Sequence, residues 1–259
     1  MTIDSCDPYD LHDLYDFPYL CPSNLMTVKL RNVVFIITLI IIVDQFLKIW
    51  IKTSYSTGHV ANVIGSKFQL YFVENSGMAW GWRFGDEIGK IVLTLFRLAA
   101  VIFGTWYLGR IVKHNYHKGF IVCAALIYAG ALGNLLDSMF YGMIFDKGMH
   151  YDPVIKDFIG YSGVAALSTH GYSTFLHGSV VDMLYFPIVR STFPHWLPFV
   201  GGKEFEFFSP IFNIADASIS AGVITLLLFQ KRFFKRYHNT PVHSTVETNT
   251  EVSDKVQVS

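Results

Sequence analysis

The sequence predicts an all-α membrane protein of four transmembrane helices with an enlarged second outer loop. Three observations carry this. The 259-residue chain is 52% hydrophobic and only 15% charged, which is more apolar than a soluble domain of this size needs. Four apolar runs, at about 33–51, 89–109, 119–139 and 211–229, reach the roughly 20 residues that a helix needs to cross the hydrocarbon core. Basic clusters also fall at alternate ends of these runs: Lys29 and Arg31 before the first, Arg110, Lys113 and Lys118 between the second and third, and Lys231, Arg232, Lys235 and Arg236 after the fourth. By the positive-inside rule those ends and both termini are cytoplasmic, and the two long connections, about 52–88 and 140–210, face outward.

In chain order, residues 1–28 set Asp4, Asp7, Asp10, Asp13 and Asp16 among Tyr, Pro and Ser, and are expected to form a disordered cytoplasmic tail. This acidic stretch has no apolar core, so no cleavable signal peptide is expected; a start at Met26 would leave the core of 29–239 intact. The first span holds Asp44, Gln45 and Lys48. Their i, i+4 spacing reads as a structural ion pair with the lysine snorkelling outward. In the first outer connection, Phe68, Leu70 and Phe72 alternate as on a strand before an Asn-Ser-Gly turn, which predicts a small sheet on the membrane surface.

The third span ends in "GALGNLLDSMF", with Asn134 and Asp137 about one turn apart. Gly130 and Gly133 allow close approach by another helix or by a ligand. The second outer connection contains "HGSVVDMLYFP", an apolar strand-like piece around Asp182. The fourth span opens with Asn213 and Asp216. Residues 240–259 are expected to be a second disordered cytoplasmic tail.

Several function classes drop out. A net charge of zero gives no support for nucleic-acid binding. Cys6, Cys21 and Cys123 suggest no disulfide framework, and His150, His170, His177 and His195 lack a metal-ligand spacing. No metal or cofactor is expected. Asp182 and Asp216 both fall near the outer face. Two carboxylates held close at low dielectric share a proton, so one can take a proton from water while the other protonates a carbonyl oxygen. That is aspartyl protease chemistry, and the absence of a GxSxG motif agrees with it. A competing reading is a proton-coupled transporter built on Asp44, Asp137 and Asp216, although four spans without an internal repeat suit it poorly.

Taken in order, "DQFLK", "NSGMAWG", "GALGNLLD", "GSVVD" and "FNIAD" resemble the blocks of the bacterial lipoprotein signal peptidases (signal peptidase II) across residues 44–222. The resemblance implies a four-helix enzyme of the bacterial inner membrane, with a small periplasmic β-cradle and its active site at the periplasmic face. Such an enzyme removes signal peptides from diacylglyceryl-modified prolipoproteins, cutting before the lipidated cysteine. It implies Asp182 and Asp216 as the catalytic dyad, with Asn75, Gly77, Gly130, Asn134 and Asn213 binding substrate and Asp44, Lys48 and Asp137 as structural support. Its partners would be the prolipoprotein and membrane lipids, and it would act as a monomer.

The chain also departs from the family pattern. Ser138 stands where an Arg usually follows "GNxxD", Ala129 replaces a Gly, Met183 replaces a Phe, and Met78 and Trp80 replace Ala and Phe. Insertions at about 141–177 and 188–209 are expected to form a lid or substrate platform, with Arg190, Lys147 or Lys203 replacing the missing arginine. Loss of that arginine also leaves open an impaired relative that only binds lipoprotein precursors.

Overall fold

The computed structural model describes residues 28–76, 87–187, 189–196, 198–207 and 210–234. Gly77, Met78, Trp80, Cys6, Cys21, Lys235, Arg236, residues 1–27 of the first expected tail and all of the second lie outside the described residues, as does the side chain of Arg190.

Four helices are long and apolar enough to span a membrane: α1 (Leu30–Ser54), α2 (Glu87–Lys113), α3 (Lys118–Ile144) and α4 (Ile214–Phe233). Their outer surfaces are apolar, with Phe35, Ile42 and Phe46 of α1, Phe96, Phe103 and Trp106 of α2, and Leu227 and Leu228 of α4 all exposed. Lipid can solvate such an exterior and water cannot. Helix α3 is central, with 50% of its most apolar window buried against 17% in each of the others. Small residues make this packing possible. A Cβ on Gly130 would lie 2.2 Å from Ala215 O, and one on Gly133 2.9 Å from Asp44 Oδ2.

Two boundaries differ from expectation, each for a local reason. Helix α4 begins at Ile214 rather than about 211 because Ile211–Phe212 pairs as a strand and Asn213 caps the helix. Helix α3 runs on to Ile144, so the expected insertion at 141–177 starts inside its last turn.

The expected surface sheet is present and larger than an all-α description suggests. Strands β1 (Val60–Ile64), β2 (Phe68–Asn75), β5 (Val180–Tyr185) and β8 (Ile211–Phe212) form an antiparallel sheet in the order β1-β2-β5-β8. Two hairpins are added in the enlarged second connection: β3 (His150–Asp152) with β4 (Asp157–Ile159), and β6 (Val189–Thr192) with β7 (Glu204–Phe207). Strand β5 is almost wholly buried, because the sheet covers it on both edges and the helices cover its inner face.

The first insertion is fastened to the core rather than hinged over it. Its backbone folds along the end of α3 through Ser173 N to Gly142 O (2.9 Å), Tyr172 N to Phe145 O (2.9 Å) and Gly178 N to Ser138 O (2.9 Å). A buried ion pair anchors it further. Lys52 of α1 donates to Glu74 of β2, and Glu74 also accepts from Tyr161 OH (2.8 Å) and Met149 N (2.8 Å) of the insertion. The Lys52 ammonium sits 5.0–5.3 Å from the ring centroids of Phe145, Tyr161 and Tyr172. From α2, Lys90 reaches Ser179 Oγ at 3.2 Å and lies over the Phe158 ring. Burial beside Glu74 raises the phenols of Tyr161 and Tyr172 well above their ordinary range, so both stay neutral hydrogen-bond partners.

Candidate active site

The site forms where the N-terminus of α4, the second half of α3, α1 and strand β5 converge. The local sequence explains how α4 contributes. Asn213 is the N-cap, and its Oδ1 accepts from Asp216 N at 2.8 Å, so "FNIAD" is a helix-start signature as well as a site motif. The cap fixes Asp216 in the first turn, where the aligned peptide dipoles favour negative charge. Asp182 comes from the middle of β5, opposite Val73 of β2, and is only 6% exposed.

Two asparagine side chains join these carboxylates. Asn213 Nδ2 donates to Asp182 Oδ1 (2.7 Å) and also approaches Asn134 Oδ1 (3.1 Å) and Val181 O (3.3 Å). Asn134 Nδ2 in turn donates to Asp216 Oδ1 at 2.7 Å. The result is a continuous path, Asp182 to Asn213 to Asn134 to Asp216. Asn75 at the end of β2 adds a weak donation to Asp182 Oδ2 at 3.5 Å. Burial first, and the neighbouring Asp216 charge second, push the Asp182 carboxyl up to about 7.

The remaining acidic residues are spent on structure. Lys48 lies 2.8 Å from both Asp44 Oδ2 and Asp137 Oδ2 and donates to Asn134 Oδ1 at 3.0 Å. It is completely buried, which corrects the expectation that it snorkels outward: Asp137 on α3 gives it a second carboxylate inside the bundle. Asp137 Oδ1 accepts from Gln45 (2.8 Å), and its Oδ2 also takes a long contact from Val181 N at 3.4 Å. Asp44 Oδ1 accepts from Ala215 N (2.8 Å), tying α1 to the first turn of α4. Both carboxylates therefore have their oxygens engaged.

Among the other expected site residues, Gly130 is buried against α4. The room a Cβ would need there is taken by Ala215 O and Ile219, so its place in this structure is close helix packing and not an open contact surface. Of the cations expected to replace the missing arginine, the described side chains are those of Lys147 and Lys203. Lys147 contacts Ser162 O at 3.5 Å within the insertion, and Lys203 is exposed.

A different cation reaches the site. Arg97 of α2 donates from Nη1 to Ser138 Oγ at 2.8 Å, and Ser138 Oγ donates to Asn134 O at 3.0 Å. The leading electrostatic partners of Arg97 are Asp216, then Asp137 and Asp182. Sequence reasoning passed over both Arg97 and the role of Gln45. The signal was available for Arg97, since a charged residue within an apolar span is by default a functional candidate.

Comparison with known proteins identifies the family. The model of the family "Signal peptidase (SPase) II" matches residues 36–232, which covers all of α2 and α3, nearly all of α4 and most of α1. A lipoprotein signal peptidase of Porphyromonas gingivalis is 44% identical over 198 residues, spanning 76% of this chain and 81% of that protein. Another, of Amoebophilus asiaticus, is 29% identical over 240 residues, spanning 89% and 93%. A bacterial membrane enzyme solved by the in meso method is 24% identical with a TM-score of 0.48, covering 80% of this chain and 93% of that one. The motif blocks, the four spanning helices and the extent of these matches lead to one conclusion: the chain belongs to the signal peptidase II family of multi-pass membrane peptidases.

Proposed function

We propose that this enzyme hydrolyses the peptide bond before the lipidated cysteine of diacylglyceryl-modified prolipoproteins, with Asp182 and Asp216 as the dyad. The hydrogen-bonded path from Asp182 through Asn213 and Asn134 to Asp216 carries the proposal, because it couples two carboxylates of unlike surroundings. Asp216 is half-buried in the first turn of α4 and accepts a proton-bearing amide from Asn134, so it bears the negative charge and takes a proton from the attacking water. Asp182, with its carboxyl pushed up to about 7, holds the shared proton and gives it to the carbonyl oxygen as the tetrahedral intermediate forms. Proton return to the leaving amine completes cleavage. No metal or cofactor enters this scheme.

Asn134 and Asn213 orient the dyad and, with Asn75 and with Gly77 two positions further along the sequence, meet the substrate backbone. Asp44, Lys48, Asp137 and Gln45 hold α1, α3 and α4 in register. The basic residues Lys29, Arg31, Arg110, Lys113, Lys118, Lys231 and Arg232 all occur at the helix ends remote from Asp182 and Asp216. This segregation supports cytoplasmic termini, an inner-membrane location and a dyad at the periplasmic face. The enzyme then works as a monomer, with acyl chains lying against the apolar outer faces of the helices. The fastened first insertion is a fixed platform beside the sheet.

The test is cleavage of a purified diacylglyceryl-modified prolipoprotein by the intact protein, by Asp182→Asn and by Asp216→Asn, each checked for folding. Cleavage before the lipidated cysteine by the parent and loss of at least about a thousandfold in both folded variants are expected. Substantial activity in either variant would remove that residue from the dyad.

A further inference from the structure

We propose that Arg97, carried on α2 and braced by Ser138, is the cation that holds the substrate backbone beside the dyad. The proposal rests on the peptidase reading given above and extends it to a residue on a helix that contributes neither carboxylate.

The argument begins with cost. A guanidinium in a membrane-spanning helix is unfavourable unless it is paired or faces a polar interior. Arg97 is half-buried, and among the described residues no carboxylate lies in ion-pair contact with it. Its hydrogen bond there is to the neutral Ser138 Oγ. A serine hydroxyl fixes one edge of the planar guanidinium but leaves its charge uncompensated. The five N–H donors of arginine form a rigid fork, so one bond to Ser138 leaves the others for a further acceptor. Asp216, Asp137 and Asp182 are its leading electrostatic partners, which attracts the cation to the dyad without closing a salt bridge. A positively charged fork with unspent donors suits a peptide carbonyl oxygen held next to the reacting bond.

Ser138 then acquires a reason. It is 2% exposed and follows Asp137 in "GNLLDS", and its Oγ passes the hydrogen bond on to the backbone carbonyl of Asn134, whose side chain contacts Asp216. A second arginine at 138 would meet Arg97 at hydrogen-bond distance and repel it. A small hydroxyl is what the neighbouring arginine requires. The positive charge is thereby supplied by α2 instead of α3.

The experiment uses the full-length enzyme and a diacylglyceryl-modified prolipoprotein peptide, with kcat and KM measured across pH. The variants are Arg97→Gln, Arg97→Lys and the charge relocation Arg97→Gln with Ser138→Arg. Arg97→Gln is expected to lower kcat/KM by about 10- to 100-fold, the range of a lost charged hydrogen bond. It should also move the acid limb of the pH profile upward, because the cation near Asp216, Asp182 and Asp137 is gone while Lys48 remains. Arg97→Lys should recover only part of the loss, and the relocation variant should recover most of it together with the acid limb. A folded Arg97→Gln enzyme with the parental kcat/KM and profile overturns the proposal. So does a relocation variant that regains thermal stability but no activity, since Arg97 would then be structural only. The dyad variants run in parallel separate the two readings: active Asp182→Asn or Asp216→Asn enzymes refute the dyad, whereas dead dyad variants with an unaffected Arg97→Gln refute the arginine alone.

Discussion

Holding Asp182 protonated has a consequence for stability that can be measured without substrate. An ordinary Asp titrates near 3.8, and in the fold Asp182 is pushed up to about 7. The unfolded chain therefore releases this proton at lower pH than the folded one, and between about pH 4 and 7 the native state binds more protons. Stability must fall as pH rises through that window and level off above it. The span from 3.8 to about 7, at about 1.4 kcal/mol per pH unit, gives a loss of roughly 4 kcal/mol. Asp182→Asn keeps an acceptor for Asn213 Nδ2 and has no proton to lose. Its stability relative to the parent should therefore improve from pH 4 to pH 8 by a few kcal/mol. Equilibrium unfolding in detergent at several pH values reads this directly, and taking the difference between two proteins cancels the titration of groups remote from Asp182 to first order. A difference that stays flat from pH 4 to pH 8 would refute the raised carboxyl and, with it, the assignment of Asp182 as the acid.

Two structural predictions accompany it. Glu74→Ala leaves the buried Lys52 ammonium without its carboxylate and removes the acceptor of Tyr161 and Met149; a loss of about 3–5 kcal/mol is expected, with new sites of limited proteolysis between 145 and 175. Unchanged proteolysis would show that the insertion is held by other contacts. Gly130→Val puts side-chain carbon where Ala215 O stands 2.2 Å from even a bare Cβ, so α3 and α4 must separate, and a loss of about 1–3 kcal/mol in unfolding experiments together with slower cleavage is expected.

The architecture was legible where local chemistry is self-sufficient. Four apolar runs announce four helices, and Phe68, Leu70 and Phe72 announce a strand, because hydrophobic period and length are properties of the segment itself. The start of α4 was readable only in part. Residues 211–212 are apolar enough to continue a helix, and only pairing with Leu184 and Tyr185 makes them a strand. The fate of Lys48 was not legible, since nothing in "DQFLK" reveals that Asp137, 89 positions later, closes a second ion pair inside the bundle. The exchange of Ser138 for a family arginine was visible as a loss. Its hydrogen-bond partner Arg97 lies on another helix 41 residues away, and nothing in either segment announces that the two side chains meet.

The distribution of charge around the site explains why the lysine is where it is. Four acidic side chains, Asp44, Asp137, Asp182 and Asp216, are gathered with one fully buried lysine. Had that lysine paired with Asp182, the attraction would have held the carboxyl ionised and left the proposed reaction without its acid. The fold instead divides the ammonium between Asp44 and Asp137, and its hydrogen-bonded path toward the proposed dyad runs through the neutral amide of Asn134. Asp137 could not exchange roles with Asp182, because Gln45 and Lys48 already occupy its oxygens. Neutral asparagines are suited to the intermediate positions for the same reason: Asn213 and Asn134 fix two carboxylates in place while adding no charge that would decide which of them keeps the proton. That choice is left to burial on β5, to the helix terminus at Asp216 and, in the proposed scheme, to the charge of Arg97.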